Sequence, residues 1–466
     1  MTHSFRPKGG GGGGGGMGGG NRRKRGPSRQ GLPQIDNQAD LEQLPEIDFN
    51  HFDQMTPVEL AKECKKAKID LDMDRSKVIE QLVQKANSDQ EVLYATGILE
   101  LLNDGWGFLR RSNYIPSNED VYVSQSQVKR HNLRSGDTVF GLVRAPKEGE
   151  KYAGMLRVES VNGLSTLAPE IQNRRDFDRL TPLFPEARIQ METTSDNIPA
   201  RIVDIIAPIG KGSRGLIVAP PKTGKTTVVK TIAASIAVNH PEIYLMVLLV
   251  DERPEEVTDM KRFVKGQVIS STFDEPAENH MRVTELCLEQ AKRLVEAGRD
   301  VVILLDSITR LSRASNLTIN PSGRTLSGGL DPAALYRPRR FFGAARNIEE
   351  GGSLTIIATA LVETGSKMDE AIFEEFKGTG NMEIVLDREL AERRIWPAID
   401  VKRSSTRHEE ALFNKDQLDG VVQLHRLLAN QDKSYEATDS LIKLLRKTPT
   451  NSVFLDSVLQ KVRATV

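Results

Sequence analysis

Cysteine is almost absent. Cys64 and Cys287 are the only two in 466 residues, and they have neither metal-ligand spacing nor a disulfide framework, which fits a reducing cytoplasm. Long hydrophobic runs are absent too. The longest, residues 243–250, falls far short of a bilayer span, and no apolar signal segment opens the chain, so neither a membrane partner nor export is expected. Net charge is missing as well: 64 Lys plus Arg balance 64 Asp plus Glu. No global field demands nucleic acid, and any basic footprint must be local. Aromatics are scarce at 5% of the chain, so a cluster of them carries information. What is present, 38% hydrophobic and 27% charged residues, describes a globular chain, and its length sets a prior of about three domains.

The first 35 residues differ from the rest. Positions 9–20 are glycine except for Met17, and seven Lys or Arg precede the first acid, Asp36. Such a segment buries too little apolar surface to offset its ordering entropy, so residues 1–50 are expected to be a disordered Gly/Arg-rich arm and linker. A basic RNA-attracting arm and a plain solvated tail both remain open for it. Residues 51–93 read as a small helical bundle. Thr56-Pro57-Val58-Glu59 offers an N-cap, a first-turn proline and a capping acid, and Ser76 opens a second helix in a similar way. Residues 94–165 change to short β-like runs, 121–124, 138–144 and 154–158, punctuated by turn residues, which predicts a small barrel. Residues 166–195, with three prolines, read as a connector. From 196 to 466 apolar runs at 215–219, 243–250, 301–305, 354–361 and 382–386 alternate with helical stretches, the signature of a mostly parallel covered sheet.

Chemistry concentrates in two places. The first follows the run 215–219, where Ala219-Pro-Pro-Lys-Thr-Gly-Lys-Thr226 leads into a helical stretch. Strand, loop and helix in that order form the context of a Walker A phosphate loop, although Ala219 replaces its usual first glycine. Pro221 to Thr227 therefore make up the candidate ATP-binding loop. Gly224 permits close backbone approach, Lys225 reaches the phosphates, and Thr226 offers a hydroxyl to Mg²⁺. The run 301–305 delivers Asp306 in a Walker B pattern, a second Mg²⁺ ligand. The run 243–250 ends in Asp251-Glu252-Arg253, and Glu252 is placed to polarise the attacking water. Hydrolysis also calls for an arginine to stabilise developing charge, but arginines are too plentiful for spacing to select one.

The second place lies between Tyr94 and Tyr152, which hold seven aromatics where about three are expected from the 5% average. In Asp104-Gly-Trp-Gly-Phe-Leu-Arg110 the alternation puts Trp106, Phe108 and Arg110 on one strand face with glycines between. Tyr122 follows in Asp120-Val-Tyr-Val123. Rings beside a guanidinium suit unstacked bases and phosphates, whereas Tyr94, Tyr114 and Phe140 are expected to fill the barrel core. The pair of motifs is similar to the two RNA-contacting strands of cold-shock domains, members of the OB-barrel group.

Together these features give the expected fold class, an α/β RecA-type P-loop ATPase core with an N-terminal helical bundle and an OB/cold-shock-like β-barrel. From about Thr56 onward the chain resembles the bacterial transcription termination factor Rho family. The resemblance is densest in Met246-Val-Leu-Leu-Val-Asp-Glu-Arg-Pro-Glu-Glu-Val257, Leu304-Leu-Asp-Ser-Ile-Thr-Arg310, Arg340-Phe-Phe-Gly-Ala-Ala-Arg346 and Phe376-Lys-Gly-Thr-Gly-Asn-Met382. It implies a homohexamer that loads on C-rich nascent RNA, translocates 5′ to 3′ by hydrolysing ATP, and releases RNA polymerase in concert with elongation factors. It assigns Lys222, Lys225 and Thr226 to phosphates and Mg²⁺, Glu252 to water activation and Asp306 to the Walker B acid. Arg407 matches an arginine finger supplied across a subunit boundary, Arg253 an arginine near the nucleotide, and Trp396 an aromatic against adenine. The primary RNA site maps to Trp106, Phe108, Arg110, Asp120, Tyr122, Glu150 and Tyr152, whose acids are expected to accept from a base amino group. A secondary site inside the ring maps to Arg324, Thr325 and Gly328 in one glycine-rich loop and Lys367 in another. Thr223 stands where alanine is commonest, Trp106 where phenylalanine is usual, and the arm is extra.

Three competing readings share part of this pattern. A rotary ATP synthase subunit has the same core but no RNA-type barrel. A DNA recombinase or replicative helicase lacks the paired aromatic motifs. An RNA chaperone with a degenerate ATPase would not need Lys225, Thr226, Glu252 and Asp306 together.

Overall fold

The computed structural model describes residues 55, 57–70, 75–86, 93–147 and 149–463. The Gly/Arg arm and the Thr56 cap lie outside them. The bundle region supplies two helices, α1 (Pro57–Ala67) and α2 (Arg75–Ala86), so Ser76 falls inside the first turn of α2 rather than ahead of it. Leu60 and Cys64 of α1 meet Val78, Ile79, Leu82 and Val83 of α2, and Phe140 of the barrel completes this cluster. Tyr94 lies partly buried against it and stacks on Phe140, with centroids 5.5 Å apart. These two rings join bundle to barrel through burial of apolar surface.

The barrel consists of β1 (Leu93–Leu101), β2 (Gly107–Arg110), β3 (Val121–Val123), β4 (Thr138–Arg144) and β5 (Ala153–Val161). Its strand order is β3-β2-β1-β4-β5, and a parallel β3–β5 pairing closes it. Strand β1 starts one residue before the expected β region. Leu99, Leu109, Val121, Val123, Val139 and Val158 point inward, as alternation requires. At Gly141 the pleat breaks: the β4–β5 register shifts there, and a Cβ at this position would stand 2.2 Å from the Arg157 carbonyl oxygen.

The large sheet is built on β6 (Arg214–Ala219), β7 (Tyr244–Glu252), β8 (Gln267–Thr272), β9 (Asp300–Asp306), β10 (Ser353–Leu361), β11 (Met382–Val385) and β12 (Ser405–Thr406). Their order is β8-β7-β9-β10-β6-β11-β12, parallel from β8 through β11. Alternate residues of β7 and β9 enter opposite cores. Val247, Leu249, Val302 and Leu304 face helix α3 (Lys225–Asn239). Met246, Leu248, Ile303 and Leu305 face α4 (Ala277–Glu296) and α5 (Ile308–Thr318). Burial on both faces explains why these strands read as unbroken apolar runs. The polar strand β8, with Ser270-Ser271-Thr272, had no such run and was not expected. No helix among the described residues is long and apolar enough to cross a membrane.

Phe140→Ala removes the ring shared by bundle and barrel, and it is expected to lower stability by about 3–5 kcal/mol. Denaturant unfolding of the variant checks this, and a loss below about 1 kcal/mol contradicts the packing described.

Candidate functional site

The first site lies at the carboxyl ends of three parallel strands. Strand β6 runs into the loop 220–224, which turns through Lys222 (φ 67°) and Gly224 (φ 84°) and opens α3 at Lys225. Thr223 is buried, and its hydroxyl donates to the Pro220 carbonyl at 2.7 Å, bracing the loop from inside. Pro221, Lys222 and Thr227 are exposed and Thr226 is half-buried. Gly224 is required twice over: its backbone is left-handed, and a Cβ there would stand 3.0 Å from the Trp396 ring. Thr223, Gly224, Thr227, Pro199, Trp396 and Pro397 help to line a cavity of about 360 Å³. Trp396 is 43% exposed over it and presents a flat apolar face.

Strands β7 and β9 bring Glu252 and Asp306 to the same place. Lys225 Nζ donates to Glu252 Oε1 at 3.0 Å and also to Asp306 Oδ1. Thr359, on the strand inserted between β9 and β6, donates its hydroxyl to Asp306 at 2.7 Å. Arg310 donates to the Asp251 carboxylate at 3.1 Å and lies 3.6 Å from Glu252. Burial raises the Glu252 carboxyl to about 7, with Asp306 pushing the same way and Lys225 and Arg310 pulling it down. Burial disfavours the Lys225 ammonium, but Asp306 and Glu252 outweigh it and hold its pKa above the usual value. Arg253 is exposed at the start of the helix Pro254–Phe263. Arg310 and Thr359 had no role assigned from sequence. Arg310 was legible as the residue four after Asp306, one helical turn on, whereas Thr359 gave no signal.

Arg407 is not brought to this cluster. It is exposed just after β12, at the sheet edge beyond β11, and its backbone N–H donates to the Asn381 carbonyl at 2.7 Å.

The second site is a face of the barrel. Trp106 and Phe108 lie edge to face at 5.4 Å, Tyr122 is 5.5 Å from Trp106, and Tyr152 is 4.8 Å from Phe108. Tyr122 is exposed and the other three are partly exposed, so four rings form one surface. None of the three other aromatics joins the barrel core: Tyr114 is buried in the ATPase core with Leu248 and Ile303, because its loop leaves the barrel, and Phe140, with Tyr94 stacked on it, packs against the two N-terminal helices. Arg110 and Asp120 are set differently from the surface rings. The Arg110 guanidinium lies 5.0 Å from the Phe108 centroid, yet the residue is only 6% exposed, and Asp120 is fully buried. Arg110 pairs with Glu100 at 2.5 Å and with Asp120, while Ser117 donates its N–H and hydroxyl to Asp120, each at 2.9 Å. Asp120 is thus occupied within the barrel instead of facing outward to a base. Glu150 is exposed and takes hydrogen bonds from Arg144 and the Lys147 N–H, which hold its carboxyl down at about 2.

The two loops expected at a ring interior do meet. Arg324, Thr325, Gly328 and Lys367 are all exposed, and Gly328 (φ 73°) packs so closely on the Lys367–Met368 backbone that a Cβ would come within 2.3 Å of it. Lys367 opens the helix Lys367–Lys377, which Ser366 caps.

Comparisons with known proteins match the two regions that hold these residues. Residues 95–166 match the family described as Rho termination factor, RNA-binding domain, and residues 200–406 match the ATP synthase alpha/beta family, nucleotide-binding domain. The chain is 57% identical over 382 residues to transcription termination factor Rho of Bacillus subtilis, covering 81% of this chain and 88% of that protein. It is 54% identical over 391 residues to transcription termination factor Rho of Aquifex aeolicus, covering 83% and 89%. Among solved structures, an ATPase of a bacterial type III secretion system aligns at TM-score 0.50 and 21% identity over 63% of this chain and 92% of its own, a likeness of fold.

Since Arg110 is buried between two carboxylates, Arg110→Ala leaves Asp120 uncompensated and is expected to cost the barrel about 3–5 kcal/mol. Thermal unfolding checks this. Unchanged stability together with weaker RNA binding would instead make Arg110 a surface phosphate contact.

Proposed function

Because the chain belongs to the transcription termination factor Rho family, and is an RNA-binding ATPase of transcription termination, we propose that it works as a homohexameric cytoplasmic motor. It loads on C-rich nascent RNA, moves 5′ to 3′ and releases RNA polymerase, acting alongside elongation factors. The observation that carries this reading is the presence in one chain of a four-ring platform and a buried Lys225–Glu252–Asp306 cluster.

The platform captures RNA. Unstacked bases lie against Trp106, Phe108, Tyr122 and Tyr152, each stack contributing about 1–3 kcal/mol. Arg110 and Asp120 act beneath the rings as positioning residues, and Glu150 at the rim is available to a base amino group. Small pyrimidines fit better than purines where the Trp106 indole narrows the surface. Arg324, Thr325, Gly328 and Lys367 contact the strand inside the ring, with Lys367 as the cation following its phosphates.

In the nucleotide site, the 221–227 backbone and Lys222 hold ATP phosphates, and Trp396 stacks on the base. The phosphate oxygens compete with Glu252 and Asp306 for the Lys225 ammonium. Lys225 thereby moves its charge to the phosphates and leaves Glu252 a freer carboxylate to accept a proton from the attacking water. Arg253 and, from a neighbouring subunit, Arg407 stabilise charge on the transferred group. Its exposed place at the sheet edge suits such a role for Arg407. Thr226 and Asp306 would hold Mg²⁺, which when bound neutralises phosphate charge. One hydroxyl and one buried carboxylate suit an ion that keeps its waters and borrows phosphate oxygens, and no cluster of three metal-ligating residues occurs among the described ones.

ATP turnover is expected to rise strongly with poly(C) and little with poly(A) or single-stranded DNA; equal rates with all three and with no polymer would defeat the reading. Trp106→Ala is expected to weaken oligocytidine binding by about 5- to 150-fold with ATP affinity kept, matching loss of one stacked base. A base titrating near 7 must be ionised to act, so kcat/KM for ATP should fall about tenfold per unit as pH drops below about 7. Glu252→Gln should bind ATP and abolish turnover. A flat profile between pH 5.5 and 8, or normal hydrolysis by that variant, places the base elsewhere.

A further inference from the structure

The loop between β2 and β3 joins the two strands that carry Phe108 and Tyr122, yet its middle leaves the barrel and enters the ATPase core. Asn113 (φ 48°) and Tyr114 (φ 61°) are consecutive left-handed residues, a conformation that a tyrosine adopts only when its surroundings impose it. The surroundings here are the large sheet. Strand β8 is the last strand of the path, with β7 on one side of it. On the other side the Asn113 carboxamide takes the place of a further strand. The Ser270 N–H donates to Asn113 Oδ1 at 2.8 Å, and Asn113 Nδ2 donates to the Ser270 carbonyl. Tyr114 is buried in the same core as Leu248 and Ile303. Its hydroxyl donates to Gln290 of α4 and accepts from Gln267 at 2.8 Å, and Gln267 in turn accepts from Tyr244, at the start of β7, at 2.9 Å.

Two residues beyond this attachment, β8 reaches the catalytic acid. Thr272 pairs with Glu252 across a register shift at Asp251 (φ 58°), and the Phe273 N–H donates to the Glu252 carbonyl at 3.2 Å. A parallel ion-pair link runs from Arg110 beneath the Phe108 ring to Glu100, and from Glu100 to Arg282 of α4 at 3.3 Å. We propose that the β2–β3 loop is the coupling element by which RNA on the barrel face sets the placement of Glu252, with Asn113 as the positioning residue that fixes β8 to the RNA-binding strands. This rests on the RNA-stimulated ATPase reading above and adds the route by which stimulation arrives. Chains of packed and hydrogen-bonded groups of this kind carry energetic coupling between sites that share an element with two arrangements.

The test uses the full chain with an oligocytidine of about ten nucleotides, the size one barrel accommodates, followed by poly(C). Asn113→Ala removes the side-chain bonds to Ser270, and Tyr114→Phe removes only the hydroxyl. Asn113→Ala is expected to hold the oligocytidine and ATP with affinities within about two-fold of the parent and to keep its RNA-free turnover. Its poly(C)-stimulated turnover should drop at least about five-fold, the lower range of measured coupling energies. Tyr114→Phe should show a smaller loss of the same kind. In the parent chain, amide exchange across 267–273 should change when the oligocytidine binds, a readout that needs no variant to fold. Full stimulation in Asn113→Ala, weakened oligocytidine binding in that variant, or exchange across 267–273 indifferent to RNA would each overturn the coupling role. A parent chain whose turnover ignores RNA would defeat the broader reading instead.

Discussion

Everything in the ATPase half depends on keeping two buried carboxylates beside their cations. Glu252 and Asp306 stand at the ends of strands buried on both faces, Lys225 reaches them from the first residue of α3, and Arg310 of α5 lies partly exposed at their edge. Removing Lys225 from such a group costs about 3–5 kcal/mol, because the buried charge left behind is stranded. The sheet therefore has to place three separate strand ends accurately before the cluster is tolerable. The same accuracy makes the cluster useful, since a carboxyl raised to about 7 is poised to exchange a proton near neutral pH.

The barrel solves a different problem with similar means. Beside its four surface rings, Arg110 is paired with Glu100 and Asp120, and Glu150 with Arg144. These ion pairs hold the aromatic surface in shape, and in the proposed reading its ring faces are where unstacked bases lie. The barrel is also anchored at two ends, to the helical pair through Tyr94 and Phe140 and to the ATPase through Asn113 and Tyr114. Recognition and hydrolysis are therefore parts of one packed body.

Much of this was legible in the chain. The phosphate loop announced itself through an apolar run, a Gly-Lys-Thr turn and a helix, and Glu252 and Asp306 through acids closing apolar runs. Trp106, Phe108 and Tyr122 were readable because period-two spacing puts rings on one face and glycine between them leaves it open. The settings of Arg110 and Asp120 were not readable, since burial of a charge depends on a partner, here Glu100, that another strand delivers. Strand β8 was missed because Ser270, Ser271 and Thr272 carry no apolar signal and their backbone needs are met by β7 and by Asn113. Thr359 reaches Asp306 only through the strand order, which spacing does not encode.

In the proposed reading, hydrolysis at the buried acid cluster moves RNA held by the barrel. The decisive measurement is strand displacement from an RNA–DNA hybrid with a cytidine-rich single-stranded tail on either the 5′ or the 3′ side of the RNA. ATP-dependent release of the DNA is expected from the 5′-tailed substrate alone, and none with Glu252→Gln. Release without ATP, or equally from both tails, would contradict it.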